Sequence, residues 1–468
     1  MNSALARAKD LYQGLPPPLR HAAASAYGWY LRWWRYGSDT DRLVQQARQR
    51  EVWTEAQWRH HQEEVLSELL HHAATNVPYY RKLWRSRRAA GDDAPWANLE
   101  NWPVLRKEEV RQNPSEFLAD DARPSRLFRL STSGTSGSPV TVWRSRRMMH
   151  AHYALFEART RGWYGVDRGM RWAILGGQIV TPAAQTKPPF WSWNAGLRQL
   201  YMSTLHLSTA NVRAYLDAMR RYRVRHLYGY ASSMYWLAHM VREQALDAPQ
   251  LVVAVSNAEP LLSHQRELIG EVFNCPVRDT YGMVEFVTAA TECEHGILHI
   301  WPEAGIVEVM DDASDTVLLP GESGRLVCTG LLNEKMPLIR YDVGDRGVLG
   351  SSDDRPCTCG RLLPHFERIE GRSSDNLITT DGRRIFWINP VFYELPVQEA
   401  QIVQESMERL HVRVVPGSGY ESRVERTIEY RLQQRLGDVE VRFEYLASIP
   451  RGANGKFRPV VNLVENAG

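Results

Sequence analysis

The chain has 468 residues, 43% of them hydrophobic, enough to bury a large core divided among two to four domains or subdomains. Its 57 Lys and Arg against 54 Asp and Glu leave a net charge of +3, which gives no field for a polyanionic partner and disfavours nucleic-acid binding. No apolar run reaches the roughly 18 residues that a bilayer span needs. The first residues lack the basic, apolar, small-residue order of a secretory leader, so the expected location is the cytoplasm. Cys275, Cys293, Cys328, Cys357 and Cys359 are too few and fall too late in the chain for a disulfide scaffold.

The first fifty residues carry eight Lys or Arg against three Asp or Glu and include YGWYLRWWRYG at 27–37. That stretch could touch a membrane surface or a partner. The expectation is instead that Trp29, Trp33 and Trp34 pack an N-terminal helix onto the main body while arginines reach outward. Helical sequence continues through HQEEVLSELLHHAATNVPYYRKLWRS to a loop before PVLRKEEV. A short strand, SRLFRL, then leads into STSGTSGSPV at 131–140. There Ser131, Thr132, Ser133, Thr135 and Ser136 can donate to phosphate oxygens, and Gly134 and Gly137 let the backbone approach an anion. It is not a Walker loop, because Ser138 and Pro139 follow Gly137 in place of a Lys-Ser/Thr pair. An ordinary flexible linker is the alternative.

Beyond the loop, MMHAHYALFEARTRGW has helical periodicity and RWAILGGQIV reads as a strand. NVRAYLDAMRRY, VRHLYGY, SMYWLAHMVREQAL, LVVAVSNAEP, HQRELIGEVFN and PVRDTYGMVE then alternate helix with short apolar strand. That order predicts parallel βα units with function at the carboxyl ends of the strands. From about residue 297, GIVEVM, GRLVCTGLL and PLIRYDVGDRGVLG predict a small β-rich subdomain. RIEGRSSDNLITTDGRRIF marks a change of unit, and a compact α+β module follows, with a helix at RVERTIEYRLQQRLG and a final strand at EVRFEYL. The expected division is 1–371 for the larger domain with its helical extension and 372–468 for the smaller one.

Five segments occur in a telling order: STSGTSGSPV, YGMVE at 281–285, RYDVGD at 340–345, EGRSSD at 370–375 and ANGKFR at 453–458. Together they resemble the adenylate-forming superfamily, and within it the phenylacetate-CoA ligase family with its relatives from capsule and exopolysaccharide gene clusters. The resemblance covers nearly the whole chain. It implies an α/β fold with a large N-terminal domain of βα subdomains plus a β-rich subdomain, and a small mobile α+β C-terminal domain. It also implies an enzyme that activates a carboxylic acid, often aryl, with ATP to an acyl-adenylate and passes the acyl group to coenzyme A. Transfer to an amine, or a non-catalytic nucleotide-binding protein of the same fold, are the alternatives; a homodimer is a candidate assembly.

The resemblance also implies roles. The hydroxyl loop, with Thr135 at its centre, would hold the β- and γ-phosphates. Tyr281, followed by Gly282, would stack on adenine, and Asn257, Ala258, Glu259 and Pro260 would line its pocket. Glu285 would bind Mg²⁺, a hard cation suited to carboxylate and phosphate oxygen. Asp345 would take the ribose diol, with Arg372 as second ribose contact near the hinge; a surface ion pair is the plain alternative for each. Lys456 would enter from the C-terminal module and neutralise charge growing on the α-phosphate and attacking carboxylate. Ser374 departs from the acidic or lysine hinge residue common in relatives. Tyr228, Tyr230 and Ser232 in YGYASSM are candidates for the acid pocket or for buried packing. Arg383 and Arg384 in GRRIFWINP would meet coenzyme A phosphates or stand as exposed charges. Cys293, Cys357, Cys359 and a histidine make a normal tetrahedral zinc set. The family resemblance puts His299 ahead of His295 as its fourth member, and unconnected reduced cysteines are the alternative.

Overall fold

The computed structural model describes residues 11–132, 139–351, 357–372, 376–380, 384–385, 388–392, 395–452 and 456–464. By internal contacts the chain divides into two compact units: 1–308 with 327–342 and 349–367, and 309–326 with 343–348 and 368–468.

The first unit opens with helices α1 (Pro17–Arg35), α2 (Thr40–Arg50), α3 (Glu55–Asn76) and α4 (Pro78–Ala89). Pro17 and Pro78 stand in first turns, where a missing N–H leaves no broken bond. Thr54 and Gln57 close a capping box at the head of α3. Short α5 (Lys107–Gln112) leads to the hairpin β1 (Phe128–Ser131) and β2 (Thr141–Arg144), and α6 (Arg146–Leu155) follows with Ser145 as its cap.

The packing of α1 departs from expectation. Trp34 is buried with Leu31, Phe128, Met149 and Leu197, but Trp29 and Trp33 are 58% and 52% exposed and Arg20 is buried. The reason lies at Gly28. A Cβ there would sit 1.7 Å from Asn194 Oδ1, so the helix approaches the body along its glycine stripe, which turns Trp29 and Trp33 outward.

The main sheet contains β3 (Trp172–Gly176), β4 (Trp191–Asn194), β5 (Gln199–Ser203), β6 (His226–Tyr230), β7 (Val253–Asn257) and β8 (Val277–Arg278) in the order β4-β5-β3-β6-β7-β8. Five strands are parallel, as the βα alternation predicts. β4 instead runs antiparallel to β5 as an edge hairpin. Helices α7 (Val212–Arg221), α8 (Ala231–Glu243) and α9 (Ser263–Phe273) supply Tyr215, Met219, Leu237, Leu268 and Phe273 to a core shared with Leu200, Met202, Leu227 and Ala254. Each such side chain contributes about 1.5–3 kcal/mol of burial. The chain leaves β3 toward β5 and then crosses to β6 on its other side, creating the switch point at which α/β sheets place ligands.

A seven-stranded sheet comprises β9 (Thr280–Gly282), β10 (Ala289–Glu292), β11 (Leu298–Ile300), β12 (Gly305–Met310), β13 (Ser323–Gly330), β14 (Tyr341–Leu349) and β15 (His365–Arg372), ordered β12-β13-β14-β15-β11-β10-β9. This is the β-rich texture expected after residue 297.

In the second unit a two-stranded ladder, β16 (Leu377–Ile378) with β17 (Arg384–Ile385), precedes β18 (Val397–Ser406), β19 (Arg409–Pro416), α10 (Ser422–Leu436), β20 (Glu440–Tyr445) and β21 (Val460–Asn462). The four-stranded sheet has the order β20-β19-β18-β21. Val424, Ile428, Leu432 and Leu436, four apart along α10, pack on Ile402, Val412, Val414 and Val460. β20 is therefore not the final strand: β21 pairs parallel to β18.

Candidate functional site

The hydroxyl-rich segment lies in the sequence between β1 and β2. Ser131 pairs with Thr141, and Thr132 closes the neck: its N–H donates to Val140 O at 3.0 Å and its Oγ accepts from Val140 N–H at 2.9 Å. Ser133, Gly134, Thr135, Ser136 and Gly137 lie outside the described residues. At the far end of β2, the Arg144 guanidinium donates to the carbonyl of Val284, which ties this hairpin to the segment bearing Glu285.

Glu285 is 3% exposed. Its Oε1 accepts from the Tyr341 hydroxyl at 2.9 Å and lies 3.2 Å from Lys107 Nζ, at the first turn of α5. Both of these contacts fall on Oε1. Burial pushes Arg144 down to about 10, although Tyr153 and Glu285 favour its charge. His152 is held well below its usual range by burial and by Arg144 and Arg35; it lies 3.0 Å from Arg144 as a neutral acceptor and stacks on Phe286.

The carboxyl ends of β6 and β7 gather the next group. Tyr230 is opposite Asn257, and the Asn257 Oδ1 is buried without a partner among the described residues. Ala258 follows with φ of +61°, a left-handed conformation unusual for alanine that marks an abrupt exit from the strand. Glu259 turns back to accept the Ser232 N–H at 3.0 Å, which places its carboxylate at the N-terminus of α8. Pro260 is exposed, and the Ser232 hydroxyl is buried without a partner among the described residues. The Thr280 hydroxyl donates to Ser256 O at 2.7 Å and lies 3.4 Å from the Tyr228 hydroxyl, bringing the YGMVE segment against β7. Burial raises both Tyr228 and Tyr230 above the ordinary tyrosine value, so both hydroxyls stay protonated. Tyr281 is half-buried with its ring edge-on to Phe366, and Gly282 beside it is exposed. Asp279 is pushed up to about 7 by burial and by Glu292.

Cys293, His299, Cys357 and Cys359 converge, with their ligand atoms within 4.8 Å of one another. Cys293 and Cys357 sulfurs are 3.6 Å apart, and the Cys359 sulfur is 3.4 Å from His299 Nε2. A tetrahedral zinc with Zn–S of about 2.3 Å and Zn–N of about 2.0–2.1 Å would have S–S edges near ~3.8 Å and S–N edges near ~3.5 Å. The donors fit that polyhedron, and the sulfur separation is far from a disulfide. His299 Nδ1 is 3.2 Å from Leu363 O, a contact that puts the proton on Nδ1 and leaves Nε2 as the ligand. His295 is exposed and is not part of the cluster. Burial holds His299 down at about 4, and burial with the neighbouring sulfurs pushes the Cys357 thiol well up.

In the second unit Asp345 is buried and pairs with Arg372 Nε at 3.1 Å, beside Gly344 at φ of +76°. Lys456 is half-buried, and its carbonyl accepts from Gly452 N–H at 3.0 Å. On either side of it, Arg451 bonds Glu399 and the Arg458 carbonyl accepts from Gln401 at 2.8 Å. Ser374 and Arg383 lie outside the described residues, as does the side chain of Arg384. Lys107, Tyr341, Arg144 and Asp279 were not marked as site residues by the sequence. Tyr341 stood inside the quoted RYDVGD and was the one with a signal; Lys107 is remote from every motif.

A family model described as the CapK C-terminal domain matches residues 377–463. Protein CapK of Staphylococcus aureus is 25% identical over 411 residues, 86% of this chain and 89% of its own. The phenylacetate-coenzyme A ligase of Thermus thermophilus is 27% identical over 326 residues, 68% of this chain and 71% of its own. Among solved structures, 2-hydroxyisobutyryl-CoA ligase in the postadenylation state shares the fold with a TM-score of 0.65 at 23% identity, over 88% of this chain and 91% of that one. The chain is therefore similar in sequence to Protein CapK and to phenylacetate-coenzyme A ligases, and it shares the fold of an acyl-CoA ligase. The β1–β2 hairpin, the segment of Tyr281 and Glu285 and the end of β7 are joined by named bonds within the first unit, whereas Asp345, Arg372 and Lys456 belong to the second. No helix among the described residues is long and apolar enough to cross a membrane.

Proposed function

We propose that this ligase uses ATP to convert a carboxylic acid into an acyl-adenylate with release of pyrophosphate, and then passes the acyl group to coenzyme A. The observation that carries the reading is the Glu285 cradle: a buried carboxylate with one oxygen held by Tyr341 and Lys107 and no bond to the other among the described residues, its segment tied through Arg144 to the β1–β2 hairpin. Mg²⁺ at Glu285 would screen the phosphate charge. The hydroxyls of 131–136 orient the leaving phosphates, the Asn257 Oδ1 and Tyr281 receive the base, and Asp345 receives the ribose. Lys456 supplies the positive charge that the α-phosphate gathers as the carboxylate attacks. The smaller domain, residues 372–468, hinged near Arg372, turns between the two half-reactions. The acid is aryl in this reading, with Tyr228, Tyr230 and Ser232 as its pocket. The four thiol and imidazole donors hold a structural zinc, consistent with a closed set that keeps no position for substrate.

Carboxylate-dependent exchange of pyrophosphate into ATP, run over a panel of aryl and aliphatic acids, tests the first step; coenzyme A and amines added afterward read the acceptor. Exchange is expected with an aryl acid. Failure with every acid by the folded, metal-loaded protein would return the chain to a nucleotide-binding role. Lys456→Ala is expected to lose on the order of 10²–10³ in exchange rate while ATP binding survives; an unchanged rate would remove Lys456 from the mechanism.

A further inference from the structure

Helix α1 presents its apolar side to solvent. Leu19, Tyr27, Trp29, Tyr30 and Trp33 are 53%, 56%, 58%, 48% and 52% exposed. Ala22 and Ala26 complete the same exposed face, and no charged residue of α1 is fully exposed: Arg20 is buried, and His21, Arg32 and Arg35 are intermediate. A surface helix ordinarily does the reverse, with its polar side in water and its apolar stripe against the core. The inversion is fixed by packing, because Gly28, Leu31 and Trp34 occupy the face turned to the body. A contiguous exposed aromatic face of this kind marks an interaction surface.

The charge around that face identifies its partner. Pro17–Arg35 contains three arginines and no Asp or Glu. Arg32 lies 5.9 Å from the Trp29 ring, and Arg146 lies 4.0 Å from the Trp33 ring while bonding the Trp33 carbonyl. Tryptophan and tyrosine combine an apolar body with a polar edge and settle at the headgroup level of bilayers, where arginine meets lipid phosphate. A second copy fits worse, because a face made of the same helix from two chains brings arginines and offers no acidic residue of α1 to pair them.

We propose that α1 is a peripheral docking helix that seats Trp29, Tyr30 and Trp33 in the headgroup region of an anionic bilayer, with Arg32 and Arg146 on lipid phosphates. This inference is independent of the ligase chemistry.

Full-length protein is sedimented with vesicles of phosphatidylcholine alone and of phosphatidylcholine mixed with phosphatidylglycerol, at low and high salt. Binding to the mixed vesicles is expected, weaker in high salt because the attraction is screened. Trp29→Ser/Trp33→Ser should weaken it at least about tenfold through lost apolar burial, with far-UV circular dichroism and pyrophosphate exchange unchanged. Arg32→Glu should weaken binding to the mixed vesicles while leaving the aromatic face in place, a second route to the same reading. No binding to either vesicle, binding indifferent to lipid charge, or equal binding by the tryptophan variant would overturn the proposal. So would light scattering that shows a dimer in the parent and a monomer in that variant, which would assign the face to a second copy.

Discussion

Two buried polar groups in the first unit handle charge in opposite ways. Around Glu285 the chain provides its own counter-groups, Lys107 and Tyr341 on one oxygen and Arg144 nearby. Around Cys293 it gathers three sulfurs and an imidazole; burial, with the neighbouring thiols, raises the Cys357 thiol, and burial, with His365 and Arg361, lowers His299. A site that receives a ligand only in passing needs a resting partner for its charge. A site with a permanent occupant would not, and of the cations near these four donors only Arg361, beside Cys359, is tied to them among the described residues, which is the pattern expected if the proposed zinc sits there.

That contrast can be broken most sharply at the cluster. Chelation, or Cys293→Ser, is expected to cost on the order of 5 kcal/mol or more, because metal binding there is also folding energy. Thermal unfolding with and without chelator, beside metal analysis showing one zinc per chain, checks it. A metal-free protein whose melting ignores chelator would reduce the cluster to ordinary thiols.

Asp279 tests how far the same unit tolerates an unbalanced carboxylate. Its folded value, about 7 against 3.8, is raised, so the folded state keeps a proton that the unfolded chain has lost. Its contribution therefore falls as pH climbs from about 4 to 7 and is flat beyond, a loss on the order of 4 kcal/mol in total. Relative to Asp279→Asn, the parent should lose stability across that window in urea titrations at successive pH values. Parallel curves would show that Arg266 and the bond to Thr280 already balance the charge.

Smallest is the effect at the cradle. Lys107→Met leaves Glu285 with the Tyr341 bond and Arg144 nearby; since Lys107 is 29% exposed, about 1–2 kcal/mol is expected rather than the full cost of breaking a dry pair. A double-mutant cycle with Glu285→Gln isolates the coupling, and a coupling of zero would mean that Lys107 does not serve as the resting partner.

The sequence revealed chemistry better than orientation. Cys293, His299, Cys357 and Cys359 could be grouped because thiols and imidazole have few other reasons to cluster, and the βα alternation announced the parallel sheet. Lys107 and Glu285 are 178 residues apart, so nothing local connected them. The antiparallel β4 edge and the three-residue β21 were too short for periodicity to register. The outward turn of Trp29 and Trp33 was decided by Gly28, a residue with no side chain to read.

Lys456 lies between two residues that β18 anchors. Glu399 holds Arg451 before it and Gln401 holds Arg458 after it, two residues apart on the same face of the strand. A one-residue insertion between those anchors is therefore expected to re-aim the ammonium while both anchors stay bonded to β18.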